Sequence, residues 1–282
     1  MLGYAFMGKA HAHAYRTLSY MMWPPPLVPE LIAISGRDAD KVAAAATRYG
    51  FATSATEWRD VVTDERVGLF DNSGPNHLHA EPTMGDAGVQ HLCAFNYRFV
   101  PAVRLAREII ASGDLGEIHH FRGSYLQDWG AADIDAWRFD QSLAGSGALG
   151  DLGAHVIDLA RYLVGEIADS KGSIAFDLER LNELEVHYAD SRPGERAQGF
   201  RRVLVTEADH PFIANWWPPG HIIGWEHTFV HELHHLMSAI AGQGSVTPDG
   251  ADFRDGYRAA EVCDAIVSSS ATGERVTVSY RD

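Results

Sequence analysis

The sequence begins with Gly3-Tyr4-Ala5-Phe6-Met7-Gly8, followed by a helical run from Lys9 through Leu18. The stretch matches G-x-G-x-x-G with alanine at the second glycine, the pattern of the first turn of a Rossmann fold. Such a turn needs freedom to bend at its first glycine, a small second residue beside a pyrophosphate, and close helix–strand packing at its third glycine. The helix that follows presents unpaired N–H groups and a positive dipole end. We therefore predict a dinucleotide site formed by Gly3, Ala5, Phe6, Met7 and Gly8, the alternative being an ordinary glycine turn.

Strand and helix signals alternate through the first third of the chain. The pattern predicts strands at residues 31–35, 69–73 and 89–95. It also predicts an alanine-rich helix over residues 38–49, with Asp38 as its N-cap and Gly50 after its end. Short links between strands and helices are typical of βαβ units in a parallel sheet. Residues 1–94 are therefore predicted to form a doubly wound, dinucleotide-binding domain.

The pattern changes after Asn96. Helices are predicted at residues 102–112, 149–164, 225–241 and 258–271. Strands are predicted at 118–129, 173–190, 199–206 and 275–280, with a hairpin-like break near Asn182. Long strands with few helices between them indicate an antiparallel sheet. The predicted fold class is thus α/β followed by α+β, a Rossmann domain and then a domain with an open, mainly antiparallel sheet over residues 95–282 for substrate binding and oligomerisation.

Two strand ends in the first domain carry candidate cofactor ligands. Ser35 and Arg37 stand where an NAD-preferring fold usually has a carboxylate for the ribose diol. An arginine there can stack on adenine or bind a 2′-phosphate, so the sequence slightly favours NADP over NAD, while a solvated turn arginine is the alternative. The next strand ends in a turn predicted to contact the nicotinamide ribose through Pro75, Asn76 and His79, unless it is simply a turn.

Asp151 and His155 lie four residues apart in a glycine-rich stretch that leads into a predicted helix. On a helix this spacing places both side chains on one face. A carboxylate beside an imidazole raises its basicity and holds its orientation, and imidazole titrates near neutrality. The pair is therefore a candidate for removing a hydroxyl proton, with a helix-surface Asp–His pair as the alternative.

Composition excludes several classes of partner. The chain has 282 residues, enough for two domains, with 38 acidic against 23 basic residues and a net charge of −15. This charge argues against nucleic acid and against an anionic membrane surface. Two cysteines without metal-ligand spacing, no membrane-length apolar run and no signal peptide favour a cytoplasmic protein.

A competing motif lies near the C-terminus. His231, Glu232 and His235 match H-E-x-x-H, the pattern of zinc-dependent hydrolases. The chain contains 15 histidines, which makes chance matches common, and no third histidine of the metzincin type follows. The sequence therefore predicts no metal site, and zinc hydrolysis remains a remote alternative.

Short motifs occur in one order over most of the chain: Gly3–Gly8, Gly74-Pro75-Asn76 with His79, Phe95-Asn96-Tyr97-Arg98, Trp137-Arg138-Phe139 and Gly145–His155. Together they resemble the Gfo/Idh/MocA oxidoreductases, and Tyr125-Leu126-Gln127-Asp128-Trp129 resembles sugar dehydrogenases of the levoglucosan dehydrogenase kind. The resemblance implies NAD(P)-dependent oxidation or reduction of a sugar or polyol by a homodimer or homotetramer. It also implies that Asp151 and His155 form the substrate-side pair, with His155 as proton acceptor. The sugar site implied by the resemblance comprises Tyr97, Tyr125, Gln127 and Trp137, with Arg138 reaching the sugar or the cofactor.

The chain departs from this family where a Glu-Lys-Pro motif is expected. The resemblance implies further segments near residues 84–88 and 165–171 that this sequence lacks, and the lysines present are Lys9, Lys41 and Lys171. Either the natural protein contains segments that this sequence lacks, or the chain is an unusual member of the family. We favour the first interpretation, because deleting interior strands exposes unpaired sheet edges. The absent lysine also leaves open a non-catalytic sugar or cofactor sensor.

Overall fold

The structure is a computed structural model that describes residues 1–75, 78–79, 89–127, 147–164, 172–188 and 199–280. The predicted Asn76, Trp137 and Arg138 lie outside these residues, as do the expected shortfalls at residues 84–88 and 165–171.

A small parallel sheet organises the N-terminal part of the chain. Strand β1 (Ala33–Ser35) pairs in parallel with β2 (Thr53–Ala55), and Leu2 forms parallel bridges to Ser35 on one side and to Asn72 on the other. The chain therefore leaves Leu2, moves outward through β1 and β2, and then returns to the opposite side of Leu2. This reversal is the topological switch point, where doubly wound sheets bind ligands at the carboxyl ends of their strands.

Helices α1 (Phe6–Met21), α2 (Ala39–Tyr49) and α3 (Trp58–Val62) connect these strands. The prediction of α2 is confirmed at both ends. The Asp38 carboxylate accepts a hydrogen bond from the Lys41 backbone N–H at 3.0 Å, and Gly50 closes the helix in the left-handed conformation with φ 83°.

The second half of the chain contains a three-stranded antiparallel sheet in the order β3 (Gly172–Ala175), β4 (Glu183–Tyr188), β5 (Arg201–Leu204). Helices α4 (Pro101–Ala111) and α5 (Ala154–Val164) contribute to the core beside this sheet, where Val103 and Tyr162 join Leu184 and Val186. The two sheets confirm the predicted fold class, one parallel and one antiparallel.

Helix α6 (Glu226–Ile240) packs against α1, far from it in sequence. Phe229, Val230 and Leu233 of α6 share one buried cluster with Tyr15 and Leu18 of α1. The last helix, α7 (Phe253–Thr272), contacts α5. The domain limits 1–94 and 95–282 stay a prediction, and residues well beyond position 95 complete the first core.

Three predicted strands differ in the structure. Cys93 forms an antiparallel bridge with Ala251, so residues 89–95 do not extend the parallel sheet. Residues 118–127 and 275–280 form no ladder with any described residue. A strand persists only where a neighbour pairs its N–H and C=O groups, and the described ranges supply none to these two segments. Among the described helices, none has the length and apolar character needed to cross a lipid bilayer.

Candidate active site

The glycine turn lies at the switch point of the parallel sheet. Gly3 has φ 97°, and a Cβ atom there would lie 2.5 Å from the carbonyl oxygen of Ser73. A Cβ at Gly8 would lie 2.1 Å from the carbonyl oxygen of Gly3. Helix α1 begins at Phe6 and has no side-chain cap from Ala5, so its first N–H groups receive no side-chain acceptor from the N-cap position. This geometry fits a dinucleotide pyrophosphate.

The end of β1 presents one of its two predicted ligands to solvent. Ser35 is fully buried, and its hydroxyl donates to the carbonyl of Met1 at 3.3 Å. Its side chain therefore faces the core and not the ligand edge. Arg37 is exposed two residues later, at the place expected for adenine stacking or a 2′-phosphate contact.

The turn after Asn72 is held by its own side chains. Asn72 donates from Nδ2 to the carbonyl of Leu78 at 3.0 Å and accepts from the N–H of Gly74 at 3.1 Å. His79 donates from Nε2 to the carbonyl of Gly74 at 2.8 Å, so this imidazole nitrogen is used within the turn. Pro75 is half-buried beside them. The turn is thus fixed next to Gly3, while the contact of Pro75 and His79 with a nicotinamide ribose stays a prediction.

His155 stands in the first turn of α5, directly after a wider, π-helical turn formed by Leu149–Gly153. π-Helical turns are frequent at functional sites. The imidazole ring contacts three aromatic rings edge-on, with centroids at 5.6 Å (Phe95), 4.9 Å (Tyr97) and 6.4 Å (Tyr125). Its Nδ1 atom is buried and has no hydrogen-bond partner in the described part of the chain.

Burial lowers the pKa of His155 to about 4, although the carboxylate of Asp151 opposes this shift. His155 is therefore neutral near pH 7 and has an unprotonated nitrogen able to accept a proton. Because desolvation disfavours the imidazolium, the carboxylate of Asp151 supplies part of the stabilisation that a protonated His155 needs. The structure brings this predicted pair together in one electrostatic unit.

Three of the predicted sugar-site residues form a hydrogen-bonded group beside His155. The hydroxyl oxygens of Tyr97 and Tyr125 lie 2.5 Å apart, and Gln127 donates from Nε2 to the Tyr125 hydroxyl at 2.9 Å. Burial and the neighbouring Tyr125 raise the pKa of Tyr97 well above its usual range. Tyr97 therefore stays protonated and acts as a hydrogen-bond donor or acceptor, not as a base.

A buried ion pair fixes the helix that carries His155. Arg98 donates to both oxygens of Asp158, at 2.9 and 2.5 Å, and its guanidinium also lies 3.3 Å from a carboxylate oxygen of Asp255 on α7. Asp158 lies one helical turn after His155. The bidentate geometry therefore locks α5 against the segment that carries Tyr97.

Sequence reasoning did not assign Trp225 or Phe95 to the site, although Phe95 belongs to a motif quoted above. Trp225 stacks on Phe6 of the glycine turn, with ring centroids 5.4 Å apart and an interplanar angle of 8°. Its indole N–H also interacts with the Tyr97 hydroxyl. Trp225 thus joins the glycine turn to the group around His155. Its only signal in the sequence is a tryptophan at the start of a helix, which also fits ordinary packing.

Comparisons with known proteins show which family the chain belongs to. The model of the GFO/IDH/MocA C-terminal domain matches residues 103–197. The chain is 33% identical to levoglucosan dehydrogenase of Pseudarthrobacter phenanthrenivorans (strain DSM 18606 / JCM 16027 / LMG 23796 / Sphe3), over 99% of this chain and 97% of that relative. The chain belongs to the Gfo/Idh/MocA family.

Other relatives of this Gfo/Idh/MocA chain extend the comparison. The solved structure of levoglucosan dehydrogenase in complex with NADH and levoglucosan matches with a TM-score of 0.92 and 34% identity, covering 99% of this chain and 98% of that one. D-xylose 1-dehydrogenase (NADP(+)) 2 of Haloferax volcanii is 29% identical over 48% of this chain and 50% of its own length. The family and the fold class are thereby confirmed, and these relatives are named sugar dehydrogenases, as the predicted enzyme class requires.

The alignment with the Pseudarthrobacter relative runs over 384 residues, more than the 282 of this chain. That Gfo/Idh/MocA relative therefore contains segments without a counterpart here. The shortfall expected near residues 84–88 and 165–171 stays a prediction, because the alignment length does not locate these segments. Measuring the intact mass of the natural protein against 30.9 kDa distinguishes the two interpretations of it.

The H-E-x-x-H pattern of this Gfo/Idh/MocA chain does not form a metal site. His231 is fully buried, its Nδ1 donates to the carbonyl of Phe99 at 2.9 Å, and its Nε2 accepts from the indole of Trp216 at 2.6 Å. His235 donates from Nε2 to the carbonyl of Val246 at 2.7 Å. Both nitrogens of His231 are thus occupied, and α6 uses these histidines to hold neighbouring loops. This observation removes the support for a zinc-dependent hydrolase.

Glu232 of the same helix carries a prediction for stability. Its side chain is buried, neither carboxyl oxygen has a hydrogen-bond partner among the described residues, and burial raises its pKa from 4.5 to about 8. Between these values the folded chain holds a proton that the unfolded chain has released. The unfolding free energy therefore falls as the pH rises through this window, by up to about 1.4 kcal/mol per pH unit.

Glu232→Gln is expected to flatten this slope, as measured by denaturant unfolding at several pH values. Glu226→Gln is the matched control, because Glu226 is exposed on the same helix. Equal pH dependence of Glu232→Gln and the wild type would show that Glu232 is ionised in the fold.

Proposed function

We propose that this chain is an NAD(P)-dependent oxidoreductase that moves a hydride between nicotinamide and a hydroxyl carbon of a sugar or polyol. The observation that carries the proposal is the neutral His155, whose Nδ1 has no hydrogen-bond partner among the described residues and whose ring contacts the rings of Tyr97 and Tyr125. Trp225 places this group next to the glycine turn through its stack on Phe6. A proton acceptor, polar sugar ligands and a dinucleotide turn are thus connected in one region.

The nicotinamide, when bound, supplies the hydride acceptor or donor. Gly3, Ala5, Phe6, Met7 and Gly8 would hold the dinucleotide, with Pro75, Asn76 and His79 at the nicotinamide ribose. The exposed Arg37 supports NADP, since a guanidinium binds a 2′-phosphate well. The levoglucosan dehydrogenase structure with NADH supports NAD.

His155 accepts the proton of the substrate hydroxyl during oxidation and returns it during reduction. Asp151 stabilises the imidazolium that forms, offsetting the penalty that burial places on it. Tyr97, Tyr125 and Gln127 bind sugar hydroxyls, together with Trp137 and Arg138 from outside the described residues. Levoglucosan and L-sorbose are the first sugars to test, because solved structures of a relative hold them.

A titration with NADH and with NADPH tests the cofactor part of the proposal. We expect saturable energy transfer from the tryptophans to the reduced nicotinamide with at least one of them, since Trp225 stacks on the glycine turn itself. The tighter of the two identifies the cofactor. Unfolded protein at the same concentration is the control, and the absence of saturable transfer with either dinucleotide contradicts the proposal.

A non-catalytic sensor is the second candidate, supported by the lack of a Glu-Lys-Pro lysine in the sequence. Such a protein would bind a dinucleotide and a sugar without turnover, so turnover of any polyol excludes it. The homodimer or homotetramer and the cytoplasmic location stay predictions. Light scattering on the purified chain tests the first of these.

A further inference from the structure

We propose that Tyr97 and Tyr125 form one hydroxyl pair that donates a single hydrogen bond to the reacting oxygen of the sugar. The pair then stabilises the charge on that oxygen while His155 holds or returns the proton. This inference rests on the proposed function and deepens it, because it assigns the electrophilic part of the same site.

The two tyrosines together have more hydroxyl hydrogens than their mutual hydrogen bond uses. Each tyrosine has one O–H hydrogen, and the 2.5 Å contact between their oxygens uses one of the two. The other hydrogen has no acceptor in the part of the chain that the structure describes. Whichever tyrosine donates to its partner, the pair as a whole has one hydrogen left to donate.

The neighbours of the pair act as donors. Gln127 donates from Nε2 to the Tyr125 hydroxyl at 2.9 Å, and the indole N–H of Trp225, which can only donate, interacts with the Tyr97 hydroxyl. These donors occupy lone pairs on both phenol oxygens. The remaining capacity of the pair is therefore to give its spare hydrogen to a ligand oxygen.

The two tyrosines lie next to His155, the proposed proton acceptor. Both phenol rings contact the His155 ring edge-on, with centroids at 4.9 and 6.4 Å, so a position between the three rings would be next to both the pair and the proton acceptor. A carbonyl or hydroxyl oxygen placed there can accept from the pair while it exchanges its proton with His155. Burial keeps Tyr97 protonated, which preserves its role as donor.

Among the described residues, no Lys or Arg side chain is hydrogen-bonded to either hydroxyl of the pair. Arg98, next to Tyr97 in sequence, forms its bidentate pair with Asp158. Lys41 pairs with Asp38 at 3.0 Å on α2, and Lys9 is exposed on α1. A neutral hydroxyl donor is therefore the electrophile that the described residues offer to the reacting oxygen.

The test compares Tyr97→Phe, Tyr125→Phe and the double variant, using the sugar that the wild type turns over fastest. Each single variant keeps one hydroxyl hydrogen and no longer spends it on a partner, so we expect kcat to fall by no more than about tenfold. The double variant keeps none, and we expect kcat to fall by about 10²–10³-fold, more than the product of the single effects. Dinucleotide binding by energy transfer should be unchanged in all three.

If the fold-losses of kcat in the two single variants multiply to the fold-loss in the double variant, the two tyrosines have separate roles. That result would overturn the proposal that they act as one pair. So would a double variant with wild-type kcat. If the wild type binds dinucleotide but turns over no sugar, the proposed function fails, and calorimetric binding of L-sorbose to the dinucleotide-bound protein then tests the pair. The affinity for L-sorbose should then stay close to the wild-type value in each single variant and be lost in the double variant. A wild type that binds no L-sorbose overturns both proposals.

Discussion

His155→Ala is expected to lower sugar turnover by about 10²–10⁴-fold, the usual contribution of a general base, while dinucleotide binding stays at the wild-type level. The imidazole supplies the unpartnered nitrogen of the candidate site, and no other imidazole in the described part of the chain contacts both Tyr97 and Tyr125. The glycine turn lies in α1 and the parallel sheet, so it does not depend on this side chain. Steady-state kinetics and the energy-transfer titration measure the two effects separately.

His187→Ala is the matched control for this change. His187 lies on β4, with its ring 5.7 Å from that of Phe200, and faces neither tyrosine of the pair. It should leave turnover unchanged. Equal loss of turnover and dinucleotide binding in His155→Ala would indicate a structural role for His155 and contradict its role as proton acceptor.

Gly8→Ala is expected to weaken dinucleotide binding by about 100-fold or more and to destabilise the fold by about 1–3 kcal/mol, the usual effect of overpacking. The new Cβ atom would lie 2.1 Å from the carbonyl oxygen of Gly3 and 2.9 Å from its carbonyl carbon. Both are backbone atoms, which cannot rotate away as a side chain does. The turn must therefore move, and with it the N–H groups that would meet the pyrophosphate.

Gly68→Ala is the control, because a Cβ atom there meets nothing within 4 Å. Both variants are compared by the NADH and NADPH titrations and by thermal unfolding. Wild-type affinity in Gly8→Ala would show that the close approach of helix and strand is not part of a dinucleotide site.

Local chemistry was enough to predict the glycine turn and helix α2. A cap at Asp38 and a left-handed Gly50 are decided by residues within a few positions of the helix ends. The Asp151–His155 pair was predictable for the same reason, since helical spacing alone places the two residues together. These features depend on near neighbours, and the sequence displays near neighbours directly.

Other features depend on contacts between distant parts of the chain. The stack of Trp225 on Phe6 and the packing of α6 on α1 join residues more than two hundred positions apart. Residues 89–95 have the apolar character of a strand, but their pairing partner is Ala251 and not the parallel sheet. Periodicity predicts that a segment is apolar, and it cannot identify the partner that satisfies its backbone.

The H-E-x-x-H pattern is a local motif whose predicted chemistry is overruled by contacts from distant segments. The spacing of His231 and His235 fits metal binding, but hydrogen bonds to Phe99, Trp216 and Val246 use their nitrogens instead. Those partners come from other segments. A motif therefore states which chemistry is available, and the fold decides whether it is used.

The most direct test of the account is sugar-dependent reduction of NAD⁺ or NADP⁺ by the purified wild-type chain, with levoglucosan and a panel of sugars and polyols. We expect reduced nicotinamide to form with at least one of them, at a rate proportional to enzyme and lost in His155→Ala. Saturable dinucleotide binding without reduction by any sugar would contradict the account and leave a cofactor-binding sensor.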